Sequence, residues 1–313
     1  MTAAFVFPGQ GSQAVGMGKA IAEAFTPARE AFEEVDDALS QRLSRLMWEG
    51  PESDLVLTEN AQPAIMAASM AIIRVLQKEA GLDLGKHARV VAGHSLGEYS
   101  ALCAAGAFSL ADTARLVRLR GIAMQAASPV GVGTMSALIG IEIEAAEAAV
   151  NEAADAGIVV VANDNAPGQI VISGEKAAVD RAGEIAKSKG AKRVIPLSVS
   201  TANHSPLLKP AGERMREALA EITIRPPSVP VVANVTAAEV SEPDTIRRLL
   251  AEQVTARVRW RESVASFTGL GVTSTIEVGG NKVLTGMVRR IDKDLQTVTL
   301  DSPADIEAFA KTL

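Results

Sequence analysis

The sequence predicts an α/β protein with a parallel sheet, and two observations carry that prediction. Short apolar runs bounded by glycine alternate with segments of helical periodicity, which is the strand, turn and helix order of a parallel sheet. Of the 313 residues, 48% are hydrophobic and only 3% aromatic, which favours helices packed on a sheet over an aromatic-rich sandwich. The length suits one large domain, or a large domain with a smaller one inserted.

The first part of the chain follows this pattern closely. The predicted segments are a strand at 4–7 followed by the glycine-rich turn PGQGSQ, helical periodicity over 18–48 interrupted near Pro27, a helix over 61–80, a strand over 89–93, and helices over 95–106 and 110–127. Pro63 stands near the first turn of the third segment and Gly81 just past its end, as is typical of helix boundaries.

The middle of the chain changes its pattern. MSALIGI, IVVVAN, QIVISG and KRVIPL are predicted strands, and helices lie between the first and second and between the third and fourth. This β-α-β-β-α-β order predicts a small ferredoxin-like domain at 129–198, inserted into a large domain made of 1–128 and 199–313. VPVVANV and TSTIEVG supply further strands for the main sheet, with helices between and after them.

Composition excludes several classes of function. The net charge is -6, and lysine and arginine are scattered, so we expect no nucleic-acid partner. The N-terminus has no basic region before an apolar stretch, and no apolar run reaches the roughly 18 residues of a membrane helix, which predicts a cytoplasmic protein without a membrane partner. We expect a monomer. The single cysteine, Cys103, excludes internal disulfides and reads as a buried small residue, and the three dispersed histidines predict no metal site.

Residues 93–97, G-H-S-L-G, fit the G-x-S-x-G pattern of a serine nucleophile. They follow a predicted strand and open a helix, which is the sharp strand-to-helix turn that projects a serine hydroxyl past the sheet. The same residues fit another reading, because Ser95 and Glu98 also match a capping box. Locally, the two readings are evenly balanced.

The glycine-rich turn near the N-terminus also has two readings. Residues 9–14 fit the loose dinucleotide fingerprint G-x-G-x-x-A after a strand. That fingerprint expects an acidic residue at the end of a second strand, whereas the acids about 20 residues on lie in a helical pattern. The alternative is that amides of this turn face the Ser95 turn and complete an oxyanion hole with the amide of Leu96.

Two further residues are candidates for chemistry. Arg120 lies on an apolar stripe of its helix, so it is either a snorkelling or internally paired arginine, or a guanidinium that awaits a substrate carboxylate. His204 follows a predicted strand and precedes a helix, where sites assemble in α/β folds. Alone it reads as structural, whereas together with Ser95 it reads as a general base.

Seven motifs, in order along nearly the whole chain, resemble those of the malonyl-CoA:acyl carrier protein transacylases. They are PGQGSQ, GHSLGEYSA, the RG of LRGIAMQ, NDNAPGQIVISG, NHSPLLKPA, QVTARVRW and IEVGGNKVLTGMVRRI. The resemblance implies an α/β-hydrolase-like large domain joined to the ferredoxin-like one. It also implies malonyl transfer from malonyl-CoA to the phosphopantetheine thiol of acyl carrier protein, for fatty-acid or polyketide synthesis, with no cofactor.

The resemblance also implies residue roles. Ser95 matches the serine that is malonylated, His204 its base, and Arg120 the arginine that binds the malonyl carboxylate. The remaining matches are Gln253, whose carbonyl orients the histidine, Gln10 and Leu96, whose amides form the oxyanion hole, and Gln62 and Asn163, at the pocket margin. The carrier protein is acidic in such systems, so we expect a local basic patch that includes Lys209, Lys282, Arg289 and Arg290.

Three departures from the family pattern stand out. Arg257 replaces a common proline, and Gly280-Asn281 replaces a Gly or Pro-Gly pattern; both are interpreted as loop changes. Asn203, before the histidine, leaves the choice of α-substituent open. Two rival functions also stay open: a serine hydrolase that releases the acyl group to water, and a non-catalytic module that binds acyl-CoA or the carrier protein while Ser95 only caps a helix.

Overall fold

A computed structural model describes residues 2–129, 131–199 and 201–313 and contains two sheets. The larger sheet consists of β1 (Ala3–Phe7), β2 (Ala88–Gly93), β7 (Val231–Val232), β8 (Glu239–Val240), β9 (Ser274–Val278) and β10 (Gln296–Leu300). The smaller sheet consists of β3 (Gly133–Ile139), β4 (Val159–Ala166), β5 (Gln169–Glu175) and β6 (Arg193–Pro196).

The larger sheet has the strand order β10-β9-β1-β2-β7-β8, and every pair is parallel except β7 with β8. Along β1, Phe5 and Phe7 enter one hydrophobic core while Ala4 and Val6 enter another, so the strand is buried on both faces. Phe7 pairs with Gly93 at the ends of β1 and β2. The loops that follow these two strands therefore leave the sheet side by side at one edge.

Fifteen α-helices surround the sheets in the described part of the chain. They are α1 (Lys19–Ala24), α2 (Thr26–Leu39), α3 (Leu43–Glu49), α4 (Glu52–Leu55), α5 (Thr58–Glu79), α6 (Leu84–His87), α7 (Gly97–Ala104), α8 (Leu110–Ala127), α9 (Ile143–Glu152), α10 (Lys176–Ser188), α11 (Lys209–Ala220), α12 (Pro243–Gln253), α13 (Trp260–Gly269), α14 (Val283–Ile291) and α15 (Pro303–Ala310). Two 3₁₀ turns add Ala154–Ala156 and Pro206–Leu208.

One of the two proline positions discussed above differs from the sequence prediction. Helix α5 begins at Thr58 instead of residue 61, so Pro63 lies inside it. The helical segment is interrupted near Pro27, as predicted, and Pro27 itself lies in the first turn of α2, where its missing N–H costs no hydrogen bond. The break lies at Phe25, whose backbone is extended.

The smaller sheet has the order β4-β5-β3-β6 with all pairs antiparallel, and it shares a core with α9 and α10. This arrangement confirms the predicted ferredoxin-like β-α-β-β-α-β pattern. Its strands all lie between Gly133 and Pro196, within the segment 129–198. The division of the chain into two domains at those boundaries stays a prediction.

The helices predicted after β9 are present as α14 and α15, but the sequence analysis did not predict β10, which adds a strand at the edge of the larger sheet. Its sequence QTVTL alternates exposed and partly buried residues, and only Leu300 is fully buried. An edge strand of this kind lacks the apolar run that identifies buried strands.

Among the described residues, no helix combines the length and apolar character needed to cross a membrane.

Candidate active site

Ser95 lies on the sharp turn between β2 and α7. Its backbone is in the left-handed region, with φ of 52°. A Cβ on Gly93 would lie 1.9 Å from the carbonyl carbon of Gly97, and one on Gly97 would lie 2.2 Å from the Phe7 carbonyl oxygen. Both flanking glycines are therefore required by close backbone approach, which is the physical reason for the G-x-S-x-G spacing.

The Ser95 hydroxyl contacts two side chains. Its Oγ lies 2.8 Å from His204 Nε2 and accepts a hydrogen bond from Arg120 Nη2 at 3.0 Å. Among the residues that the structure describes, no side chain caps the N-terminus of α7, and the carboxylate of Glu98 is turned toward Gln253. The capping-box interpretation of Ser95 is therefore wrong, because the serine hydroxyl faces the site and not the helix end.

His204 is buried and held by a backbone carbonyl. Its Nδ1 lies 2.8 Å from the carbonyl oxygen of Gln253, which can only accept, so Nδ1 carries the proton and Nε2 accepts from Ser95 Oγ–H. Burial, followed by the nearby positive charge of Arg120, lowers the pKa of His204 to about 3. The imidazole is consequently neutral at pH 7 and able to take a proton.

Arg120 is almost completely buried and bonded to neutral groups. Its Nη1 donates to Gln62 Oε1 at 2.7 Å, and its Nη2 donates to Gln253 Oε1 at 3.0 Å as well as to Ser95. Its Nε has no partner among the residues that the structure describes, and its guanidinium lies 5.8 Å from the centre of the Tyr99 ring. Burial lowers the pKa of Arg120 from its usual value. No described carboxylate forms an ion pair with it, so its charge is available to an incoming anion.

The turn after β1 supplies backbone donors beside Ser95. A Cβ on Gly9 would lie 2.6 Å from the His94 carbonyl oxygen, which shows how closely the two turns approach. The N–H groups of Gln10 and Leu96 donate to no other residue in the described chain, and both residues line the same cavity as Ser95. Two free amides beside a nucleophile are what an oxyanion hole requires.

A cavity of about 370 Å³ has Ser95, His204 and Arg120 in its wall. Strands of the smaller sheet form its opposite side through Met135, Asn163 and Val171. Nucleophile, neutral base, free amides and an unneutralised cation thus line one cavity. This set of groups can carry an acyl group that bears a carboxylate through a serine ester.

Comparison with known proteins decides the family. The family model described as the acyl transferase domain matches residues 4–300 of the chain. The chain belongs to the acyl transferase family. A malonyl CoA-acyl carrier protein transacylase of Bacillus subtilis (strain 168) is 44% identical over 311 residues, which are 99% of this chain and 96% of the relative.

Solved structures agree with that assignment. The crystal structure of an acyl-carrier-protein-S-malonyltransferase from Bartonella henselae is 53% identical, with a TM-score of 0.97, over 100% of this chain and 99% of the other. Another is a malonyl-transacylase in complex with its type II PKS acyl-carrier protein; it is 42% identical, with a TM-score of 0.96, over 100% of both chains. The α/β fold of this acyl transferase is therefore the fold of its relatives.

Of the two residues of this acyl transferase that were predicted at the pocket margin, one lines the cavity and the other does not. Asn163 lines the cavity, as expected of a residue at the pocket margin. Gln62 is fully buried behind Arg120 and is not among the residues that line the cavity. It contacts two residues of the cavity wall, through a hydrogen bond to the Arg120 guanidinium and a weaker one from Nε2 to Met124 Sδ at 3.5 Å, so it supports the wall without being part of it.

Sequence reasoning gave no role in the site to three polar residues around Ser95, although it considered Glu98 as part of a capping box. Asn234 accepts from the Ser95 backbone N–H at 2.7 Å and donates to the Gly93 carbonyl at 2.7 Å. Glu98 accepts from Asn234 N and from Gln253, and Asn165 bonds to His94. For Asn234 a signal existed, because it follows the apolar run of VPVVANV, and the strand in that run pairs with β2, which precedes Ser95.

Two of the departures from the family pattern have a structural consequence. Arg257 donates to the Val161 carbonyl at 3.3 Å and pairs with Glu147 at 2.7 Å. It therefore connects the segment after α12 to β4 and α9, which a simple loop change would not do. Asn203 lines the cavity, and its Oδ1 accepts from Thr201 Oγ1.

Replacing His204 with glutamine is expected to change how stability depends on pH. The folded protein holds the pKa of His204 at about 3, below its ordinary 6.5, so unfolding takes up a proton and stability falls as pH drops from 6.5 toward 3. His204→Gln removes that loss. Its free energy of unfolding, relative to the parent, is expected to rise by about 1 kcal/mol or more between pH 7 and pH 5 in urea unfolding, since one pKa unit is about 1.4 kcal/mol.

Glu98 supplies a control of opposite sign. Burial raises the pKa of Glu98 from 4.5 to about 7. The contribution of Glu98 to the free energy of unfolding is therefore fully present below pH 4.5 and is lost as pH rises toward 7. Glu98→Gln is therefore expected to gain relative stability as pH rises from 5 to 7. Parallel pH curves for the parent and both variants would contradict these assignments.

Proposed function

We propose that the chain is a malonyl-CoA:acyl carrier protein S-malonyltransferase that works through a malonyl-Ser95 ester. The observation that carries the proposal is the position of Ser95 Oγ, 2.8 Å from His204 Nε2 and 3.0 Å from Arg120 Nη2. A nucleophile that touches both its base and a buried cation suits an acyl group with a carboxylate one methylene beyond the reacting carbonyl. The names of the relatives support the same activity.

The first half-reaction forms the serine ester. His204 Nε2 takes the proton from Ser95 Oγ as Oγ bonds to the thioester carbon of malonyl-CoA. The N–H groups of Gln10 and Leu96 donate to the oxyanion, and the Gln253 carbonyl stabilises the imidazolium that forms. The carbon–sulfur bond then breaks, and His204 returns the proton to the sulfur of coenzyme A.

The second half-reaction runs in reverse with another thiol. The phosphopantetheine thiol of holo acyl carrier protein gives its proton to His204 Nε2 and attacks the malonyl-Ser95 carbonyl. The ester bond breaks, the proton passes to Ser95 Oγ, and the malonyl thioester leaves on the carrier. A complex of a relative with its acyl-carrier protein supports this partner.

The carrier is proposed to approach along α14, at the edge of the cavity. Val283 and Met287 of that helix line the cavity, and Lys282, Arg289 and Arg290 belong to the same helix or precede it directly. Arg290 is engaged with the Gln169 side chain and the Pro167 carbonyl, which leaves its charge at the surface. Lys209 begins α11 instead, and its part in a basic patch stays a prediction.

The test separates transfer from hydrolysis. We expect malonyl-CoA to leave a malonyl adduct on Ser95 by mass spectrometry, and holo acyl carrier protein to discharge it to malonyl-carrier. Rapid release of free malonate without a thiol acceptor would instead indicate a hydrolase. An unmodified protein that still binds acyl-CoA would indicate a binding module.

Arg120→Ala is expected to lower kcat/KM for malonyl-CoA by about 100-fold while acetyl transfer falls far less, because a charge-assisted contact of about 1.5 to 3 kcal/mol is lost. The measurement is kcat/KM with both acyl-CoAs. Arg118→Ala is the matched control, since Arg118 lies on the same helix and contacts Asn60 and Gln41. Equal losses with both substrates would assign Arg120 a structural role.

The remaining expectations stay predictions. They are a cytoplasmic location, a monomeric state, the absence of a cofactor and of nucleic-acid or membrane partners, and the tolerance of α-substituted malonyl groups beside Asn203. Whether the product enters fatty-acid or polyketide synthesis depends on the carrier protein that is loaded.

A further inference from the structure

A buried polar cluster lies directly beneath Ser95, and the steps of malonyl transfer do not use its carboxylate. Glu98 is 2% exposed, and its Oε2 accepts from Gln253 Nε2 at 2.8 Å and from the Asn234 backbone N–H at 3.1 Å. The same Gln253 nitrogen donates to the Ser95 carbonyl at 2.8 Å. A buried carboxylate without an ion-pair partner among the described residues is costly, and so it requires an explanation.

The contacts of Gln253 explain what the carboxylate does. The carboxamide nitrogen of Gln253 faces two acceptors, Glu98 Oε2 and the Ser95 carbonyl, while its Oε1 faces a donor, Arg120 Nη2. If the carboxamide were flipped, its NH₂ would face the guanidinium and its oxygen would face the two acceptors. Glu98 Oε2 also accepts from the Asn234 backbone N–H, which holds that oxygen as an acceptor toward Gln253, so Glu98 disfavours the flipped orientation.

The orientation of Gln253 in turn controls Arg120. The Nη2 atom of Arg120 is held between Gln253 Oε1 and Ser95 Oγ, each at 3.0 Å, and Nη1 is held by Gln62. A flipped Gln253 would leave Nη2 with a donor in place of an acceptor and would turn the guanidinium away from Ser95. A contact two residues removed from the substrate can therefore decide where the cation points.

We propose that Glu98 is a positioning residue for acyl-group selection, which fixes the Gln253 carboxamide so that Arg120 is aimed at the carboxylate of the acyl group. The inference rests on the proposed malonyl transfer. It assigns Glu98 no contact with substrate, and its effect passes through Gln253 and Arg120. Its signature is a change in the preference for malonyl over acetyl groups, and not an equal loss with both.

The test measures kcat/KM for malonyl-CoA and acetyl-CoA in three Glu98 variants. Glu98→Met keeps the length of the side chain but removes the acceptor, and we expect the malonyl-to-acetyl ratio to fall about tenfold, chiefly through malonyl KM. Glu98→Asp withdraws the carboxylate by one methylene, and its malonyl-to-acetyl ratio is expected to fall likewise. This second variant provides the test if Glu98→Met does not fold. Glu98→Gln retains an oxygen that can accept both bonds, so its ratio should stay within about threefold of the parent.

Two controls separate positioning from general stability. Glu277→Gln alters the other fully buried glutamate, which accepts from the Leu284 and Thr285 amides, and should leave the ratio unchanged. In an Arg120→Ala background, Glu98→Met should not change the ratio further. An unchanged ratio in folded Glu98→Met or Glu98→Asp, or an equal change in Glu277→Gln, would overturn the inference. A parent protein without malonyl transfer would instead overturn the proposed function.

Discussion

Ser95→Ala is expected to abolish the covalent adduct and to lower malonyl transfer by about 10⁴-fold or more, because loss of a serine nucleophile removes the ester route altogether. The residual rate would come from binding and from the two oxyanion amides. The measurement is transfer to holo acyl carrier protein, together with the mass of the protein after incubation with malonyl-CoA.

Ser100→Ala is the matched control for this prediction. Ser100 lies on the same helix as the Ser95 turn, is fully buried, and its hydroxyl has no hydrogen-bond partner in the described chain. Its removal should leave the rate within about twofold, since it breaks no contact. Retention of transfer by Ser95→Ala would show that another group carries the acyl chain.

Gly93→Ala is expected to destabilise the protein by about 3 kcal/mol or more, or to prevent folding. Its Cβ would lie 1.9 Å from the carbonyl carbon of Gly97, and neither backbone segment can move away while β1 and β2 stay paired. The free energy of unfolding in urea, or the yield of folded protein, measures the effect.

A second glycine gives the opposite expectation. Gly286 lies inside α14, has ordinary backbone angles, and a Cβ there would meet nothing within 4 Å. Gly286→Ala should therefore stabilise the protein by up to about 1 kcal/mol through helix propensity. If Gly93→Ala were tolerated as well as Gly286→Ala, the tight turn at Ser95 would not be what the G-x-S-x-G spacing serves.

Local patterns predicted most of the fold because the evidence for each element lies within a few residues. Helix α8 begins and ends at the predicted residues, 110 and 127, since the apolar period and its boundaries are local. The edge strand β10 was missed because the evidence for it is not local. Its single buried residue, Leu300, gives no pattern, and only its pairing with β9 makes it a strand.

The site likewise combines features that local sequence predicts with contacts that only the fold creates. The position of Ser95 in a strand-to-helix turn follows from two glycines in one pentapeptide, whereas its pairing with His204 spans 109 positions. The sequence suggested that pairing because both residues follow predicted strands, and the family resemblance strengthened it, but the contact itself depends on the fold. The oxyanion amides also required the fold, since it is the register of β1 with β2 that brings the two turns together.

The sequence by itself determined the element order, the inserted small sheet, the G-x-S-x-G turn and an arginine on an apolar stripe. The tertiary structure alone decided which groups Glu98 contacts. The pattern S-L-G-E fits a cap, yet the carboxylate bonds to Gln253, 155 positions away, and to Asn234, 136 positions away. A buried carboxylate bonds to whichever donors the packed core brings to it, and packing joins segments whose distance along the chain carries no signal.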